Sequence, residues 1–411
     1  MSAVIQSTPL LATAENIRTL RGLPVGMKSA LRIFLRLPNG QLTLQFPNGQ
    51  QLTFKGKSAG PIAELHVHDY KFIRRALAGG DVGLGEGYME GEWTTPDLTA
   101  LLSFFSVNLD SKPDIVAGGP ITRFFHWAYH QLRANTKTGA KKNIEAHYDL
   151  GNNFYAQWLD PSMTYSSARY TQPDQSLEDA QYEKYRTLAD SIDLQEGDHV
   201  LEIGCGWGGF AEYAARDRGA RVTCLTLSSE QREYAIERIE SLQLGDKVDI
   251  KLQDYRDETG VYDKIASIEM FEAVGQEYWP SFFNKVHDCL KPGGKAGLQI
   301  ISIRDDLFET YAKRADFIQR YIFPGGVLPS LTRLKQEFDN AQLKLDHVEA
   351  FATDYADTLA DWMKRFTSAW DDIQPLGFDE RFRRMWEFYL AYCEAGFRTG
   401  RIDVAQYSVS R

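Results

Sequence analysis

The 411-residue sequence is poor in cysteine, and its four cysteines follow no pattern. Cys205, Cys224, Cys289 and Cys393 lack metal-ligand spacing, and they suggest a reducing compartment and no disulfide framework. No apolar run approaches the ~20 residues that span a bilayer. Met1 to Asn16 lacks a basic region followed by an apolar core, so no signal peptide is expected. Positive charge is also in deficit. A net charge of −10 argues against a nucleic-acid partner, which would need a basic footprint. Any lipid would then be reached from the cytosol. What is present is 43% hydrophobic residues, enough for a sizeable core, and a length that suits two domains.

The chain is organised around residues 200–209, Val-Leu-Glu-Ile-Gly-Cys-Gly-Trp-Gly-Gly. His199 to Ile203 fits a buried parallel strand, and Phe210 to Ala215 starts a helix. Strand, glycine turn and helix bring backbone N–H groups and a helix N-terminus to a ligand. Gly204, Gly206 and Gly209 also fit the dinucleotide pattern, a weak signal alone. A nucleotide-binding oxidoreductase would add an acid at the tip of the second strand. Here Thr226-Leu227-Ser228-Ser229-Glu230-Gln231 follows that strand, with no acid at its tip. Glu202 precedes the first glycine instead. A carboxylate there suits a cationic ligand better than a pyrophosphate, and S-adenosylmethionine carries a sulfonium and an ammonium.

In chain order, Leu31 to Lys57 alternates in strand fashion around Asn39-Gly40 and Asn48-Gly49, which predicts a three-stranded meander. Tyr70 to Ala78 reads as a helix ended by Gly79-Gly80, and Thr95 to Val107 as a second helix. Residues 1–120 form a small α+β domain on this reading, a lipid, membrane or dimer contact. Residues 121–146 form a basic-aromatic linker. Its Phe124, Phe125, Trp127, Lys137, Lys141 and Lys142 suit either an anionic membrane surface or an interdomain helix with a solvated basic face. Residues 147–411 then alternate β and α, with strands at 199–203, 221–226, 248–252, 263–268 and 295–302. That predicts an open, mostly parallel sheet. Ligands bind at the carboxyl ends of such strands. Helices rich in aromatics at Leu359 to Trp370 and Arg381 to Phe397 read as core packing at most positions, or as the wall of an apolar slot. Leu343 to Phe351 and Ile402 to Arg411 read as a final antiparallel pair.

From about residue 80 onward the chain resembles the cyclopropane-fatty-acyl-phospholipid synthases. The resemblance rests on GLGEGYMEGEW, HYDLGNNFY, MTYSSARY, LEIGCGWGGFAEY, TLSSEQ, QDYRD, MFEAVG, YIFPGGVLPS, DYADTLADW and QYSVSR. It implies a Rossmann-like class I methyltransferase fold behind the smaller α+β domain. It also implies transfer of a methyl group from S-adenosylmethionine to the double bond of an unsaturated acyl chain on a membrane phospholipid. The alkene is a poor nucleophile, and attack leaves a carbocation that must be kept dry. Loss of a proton from the new methyl then closes a cyclopropane ring. A methylene- or methyl-branched chain is the alternative product. The implied protein sits in the cytoplasm, at the inner face of the membrane, as a homodimer.

The resemblance further implies a bicarbonate ion as base, held by Glu272, the backbone of Ile301 and Tyr355. Ser167 and Gln299 stand where the family usually has Cys and His. Glu269 stands where many bacterial relatives have glycine, and plant relatives similar at Glu269 and Gln299 make cyclopropanes. For the donor the resemblance points to Tyr165, Ser166, Gly204, Gly206, Thr226, Leu227, Gln231, Gln253, Asp254, Tyr255 and Arg256, beside Glu202. His147 is read as a capping or core residue. No metal is expected. A methyltransferase of the same fold for a small soluble acceptor is the competing reading, and the aromatic C-terminal helices speak against it.

Overall fold

The structure, a computed structural model, describes residues 9–24, 26–109 and 150–411. The linker expected at 121–146 and His147 lie outside the described residues. The chain divides into two compact units. One holds the described residues up to Leu109 together with Phe378–Arg401. The other holds those from Leu150 to Gly377 together with Ile402–Arg411.

The first unit contains a five-stranded sheet, β1 (Leu10–Leu11), β2 (Asn39–Gln45), β3 (Gln51–Lys55), β4 (Ser58–Val67) and β5 (Trp93–Thr94), in the order β1-β3-β2-β4-β5. The Asn48-Gly49 turn joins β2 and β3 as an antiparallel hairpin, as expected. The third strand does not complete a meander. β4 passes β2 and pairs in parallel with its far side. Glycines at this crossing permit the close approach, since a Cβ on Gly40 would lie 2.2 Å from the Pro61 carbonyl oxygen. The helix Lys71–Met89 does not end at Gly79-Gly80. It kinks at Gly80 (φ 60°, ψ −132°) and runs on through the glycine-rich stretch.

The helix Glu380–Arg398 packs in this unit, against Lys71–Met89 and Leu98–Leu109. Tyr88 donates to Glu387 at 2.9 Å and Thr99 to Glu394 at 2.8 Å. The sequence assigns this helix to residues 147–411 and reads its aromatics as core packing at most positions or as the wall of an apolar slot. The helix belongs to this unit, where its aromatic stripe packs, with Phe388 against Tyr88 and Trp93.

The second unit is built on seven strands: β6 (His199–Ile203), β7 (Arg221–Thr226), β8 (Val248–Leu252), β9 (Tyr262–Ile268), β10 (Leu290–Ile303), β11 (Lys344–Ala350) and β12 (Ile402–Ser410). Their order is β11-β12-β10-β9-β6-β7-β8. The run from β8 to β10 is parallel, and β12 lies antiparallel between β10 and β11. Val200 to Ile203 is buried throughout, as a strand covered on both faces requires. The strand order reverses between β6 and β9, and the glycine turn leaves β6 at that switch point. Among the described residues no helix is long and apolar enough to cross a membrane.

Candidate active site

The turn after β6 is fixed by its own backbone. The amides of Gly204 and Cys205 both donate to the Leu225 carbonyl, each at 3.0 Å. Gly204 holds φ +83°, and a Cβ there would fall 2.5 Å from Met270 Cγ. Gly206 is different. Its φ is +52°, and a Cβ would meet nothing within 4 Å, so the turn opens there onto free space. Beside it, Ser228 caps the helix Ser229–Ser241. Gln231 is buried rather than solvent-facing and accepts from the Thr226 hydroxyl at 3.1 Å. Leu227, half-buried, lies between Thr226 and that cap. Gln253 continues the rim, its amide donating to the Thr226 carbonyl at 3.1 Å. Asp254 takes a two-pronged bond from Arg256 at 2.8 and 2.6 Å, and the Arg256 guanidinium lies over the rings of Tyr255 and Tyr278. Glu202 is buried, and its carboxylate accepts from the Cys224 thiol at 3.5 Å. Burial pushes its carboxyl up to about 8.

An aromatic wall stands near this rim. The ring of Tyr165 lies 5.3 Å from Tyr155, 5.6 Å from Trp158 and 5.3 Å from Trp362. The helix Ala352–Ser368 supplies part of it, because Tyr355, Leu359, Trp362 and Phe366 recur on its buried side. Ser166 is anchored from behind, its hydroxyl accepting from Lys184 at 2.7 Å and its carbonyl from Gln181 at 2.9 Å.

Four segments converge at the tip of β9. The Glu269 carboxylate accepts from the Ser167 amide at 2.8 Å, the Gln299 side chain at 2.7 Å and the Tyr355 hydroxyl at 2.6 Å. Glu269 itself has φ +49°, a conformation that favours glycine. The backbone therefore holds it as a special turn, and three donors fix its side chain. Ser167 contributes its N–H only, since its hydroxyl donates to the Ala168 carbonyl. Gln299 is held in turn by Gln406 of β12 at 3.2 Å. Glu272 is the second carboxylate. One of its oxygens accepts from the Ile301 amide at 2.6 Å, and the other is buried without a partner among the described residues. Burial, then the charge of Glu269, pushes the Glu272 carboxyl up to about 8. Burial also raises Glu269, against the pull of Tyr355, Gln299, the Ser167 amide and Lys184.

The residues expected to hold bicarbonate do come together, with a correction. Tyr355, Gln299 and Ser167 give their donors to Glu269, and Ile301 gives its N–H to Glu272. No donor of that set is left for a free ion, so the residues present do not fit bicarbonate. The Glu269 carboxylate takes the donors of Ser167, Gln299 and Tyr355 itself. The donor residues fit S-adenosylmethionine better, because the turn offers open space at Gly206 where a side chain would intrude.

Sequence reasoning missed two members of the site, Lys184 and Gln406. Lys184 carried a readable signal. The helix Leu177–Ser191 buries Leu177, Ala180, Gln181, Lys184, Tyr185 and Leu188, so a lysine falls on the apolar period.

The two raised carboxyls carry a pH dependence. A carboxyl raised on folding contributes stability that is full below its unfolded pKa and is lost as pH rises through its folded one. In the ligand-free protein, melting temperature is expected to fall between about pH 5 and about 8 through Glu202 and Glu272. Glu202→Gln and Glu272→Gln should each flatten that fall in a thermal-melt series. An unchanged slope in both would contradict the burial argument.

Comparison with known proteins identifies the family and the fold. A family model described as mycolic acid cyclopropane synthetase matches residues 135–407. A tuberculostearic acid methyltransferase of Mycobacterium tuberculosis is 40% identical over 370 residues, 85% of this chain and 83% of that protein. The cyclopropane-fatty-acyl-phospholipid synthase of Escherichia coli is 36% identical over 357 residues, covering 85% and 88%. The crystal structure of mycolic acid cyclopropane synthase CmaA1, complexed with SAH and CTAB, is similar with a TM-score of 0.63 at 29% identity. It covers 66% of this chain and 98% of its own.

Proposed function

The chain belongs to the mycolic acid cyclopropane synthetase family and is an S-adenosylmethionine-dependent lipid methyltransferase of class I fold, and we propose that it methylates the double bond of an unsaturated fatty acyl chain on a membrane phospholipid to form a cyclopropane. The observation that carries the reading is the Glu269 carboxylate, fixed by three donors beside an aromatic wall and the glycine turn.

Bound at that turn, S-adenosylmethionine supplies an electrophilic methyl group. Gly204, Gly206, Thr226, Leu227, Gln231 and residues 253–256 hold it on this reading, with Tyr165 and Ser166 closing the other side. The chain's own residues supply the rest. Methylation of the alkene leaves a cation on the adjacent acyl carbon. The faces of Tyr165 and Trp362 favour such a cation and exclude water. Glu269 accepts a proton from the added methyl group, and the freed electron pair closes the ring. Glu272, its free oxygen buried near this point, adds negative potential when ionised.

A second reading, a methylene- or methyl-branched product, is favoured by the 40% identity to a tuberculostearic acid methyltransferase. Purified protein incubated with S-adenosylmethionine and vesicles of unsaturated phosphatidylglycerol separates the two. Gas chromatography with mass detection should find cyclopropane chains. A branched chain would sink the ring assignment, and unmodified chains would sink the substrate class.

The basic-aromatic segment 121–146 fits docking on anionic membrane, at about 1 kcal/mol per Lys or Arg near the surface. Charge reversal at Lys137, Lys141 and Lys142 is expected to weaken sedimentation with the same vesicles at low salt. Unchanged sedimentation would leave the segment a linker.

A further inference from the structure

We propose that Lys184 is a positioning residue for methyl transfer: its ammonium ties the donor-side segment Ser166-Ser167 to Glu269 and keeps that carboxylate in its charged, proton-accepting form. The inference rests on the reading of Glu269 as the base.

Lys184 is fully buried. Its ammonium donates to Ser166 Oγ and Gln181 Oε1, both at 2.7 Å, and sits 4.5 Å from the centre of the Tyr185 ring. These bonds form part of a closed circuit. Ser166 leads to Ser167, whose amide reaches Glu269. The Lys184 carbonyl accepts from Gln406 Nε2 at 3.0 Å, the same amide bonds Gln299, and Gln299 returns to Glu269. Lys184 therefore touches both arms that hold the carboxylate.

Its charge has no direct partner. Among the described residues no carboxylate oxygen stands within ion-pair distance of it. The acids it faces are Glu269 at the tip of β9, Asp160 before the Tyr165 segment and Glu202 on β6. Burial lowers the Lys184 ammonium to about 7 against the pull of these acids, Glu269 the strongest of them, and Lys184 in turn favours the ionised form of Glu269. The other titratable group bonded to Glu269 is Tyr355, and Glu272 opposes its charge. Burying an ammonium away from any carboxylate oxygen is costly. A charge kept in such a place acts on its neighbours.

The test is the pH profile of kcat/KM in Lys184→Met and Lys184→Gln. Met keeps the stem and removes the charge, and Gln keeps a donor for Ser166 should Met fail to fold. Loss of the ammonium is expected to move the acid limb upward by about one unit or more. The melting temperature is read alongside, since Met leaves Ser166 Oγ and Gln181 Oε1 without the ammonium's donors. Glu269→Gln is measured alongside. A limb present in the wild type, absent from Glu269→Gln and unmoved in both Lys184 variants overturns the role of Lys184 alone. A limb that persists in Glu269→Gln overturns the reading of Glu269, and the inference with it.

Discussion

Glu269→Gln is expected to lower kcat by about 10²- to 10⁴-fold, the range that a positioned general base contributes. The substitution is isosteric and keeps an acceptor oxygen for Tyr355. It removes the negative charge and the proton affinity. The amide also turns one donor toward a site built wholly of donors, Ser167 N–H, Gln299 Nε2 and Tyr355 OH. Binding of S-adenosylmethionine should be unchanged, because the glycine turn and the Thr226–Gln231 rim do not use Glu269. Calorimetry for the donor and a methyl-transfer assay therefore separate chemistry from binding. Full activity in Glu269→Gln would remove the carboxylate from the mechanism.

The second large effect belongs to Gly206. Gly206→Val is expected to weaken S-adenosylmethionine by at least about 100-fold, on the order of 3 kcal/mol. Nothing in the protein stands within 4 Å of a Cβ at this position, so the side chain would project into the space the donor needs. A branched residue at φ +52° is strained as well. Gly206→Ala separates the two causes, since its backbone cost is only about 1–2 kcal/mol. Its donor affinity should fall too, while circular dichroism shows an intact fold. Equal affinity in wild type and Gly206→Val would place the donor elsewhere.

Much of the second unit was legible in the sequence. His199–Ile203, Arg221–Thr226 and Val248–Leu252 fall at the expected residues. Parallel strands read as apolar runs, and covering both faces of the sheet keeps them so. The first unit was read less well, because its surprises are long-range. Nothing local in Ser58–Val67 says that it passes β2, and nothing in Glu380–Arg398 names the helices that cover its aromatic face. A helical period tells that a face is buried, not against what. The site shows the same division. Ser167, Gln299 and Tyr355 were singled out around a separate ion, and Glu269 only as a residue standing where bacterial relatives have glycine. That Glu269 takes their donors depends on a φ of +49° and on the meeting of four distant segments. Lys184 needed only the helical period to be seen as buried, but its ties to Glu269 run from its ammonium through Ser166-Ser167 and from its carbonyl through Gln406, far along the chain.

The measurement that tests the central claim most directly is methyl-transfer activity as bicarbonate is withdrawn. If Glu269 is the site's own anion, the wild type works equally well in carbonate-free buffer and with bicarbonate restored. Glu269→Gly, which suits the left-handed backbone at that position, loses activity and regains part of it when bicarbonate is added. A wild type that stops working in carbonate-free buffer and recovers with bicarbonate would contradict the account.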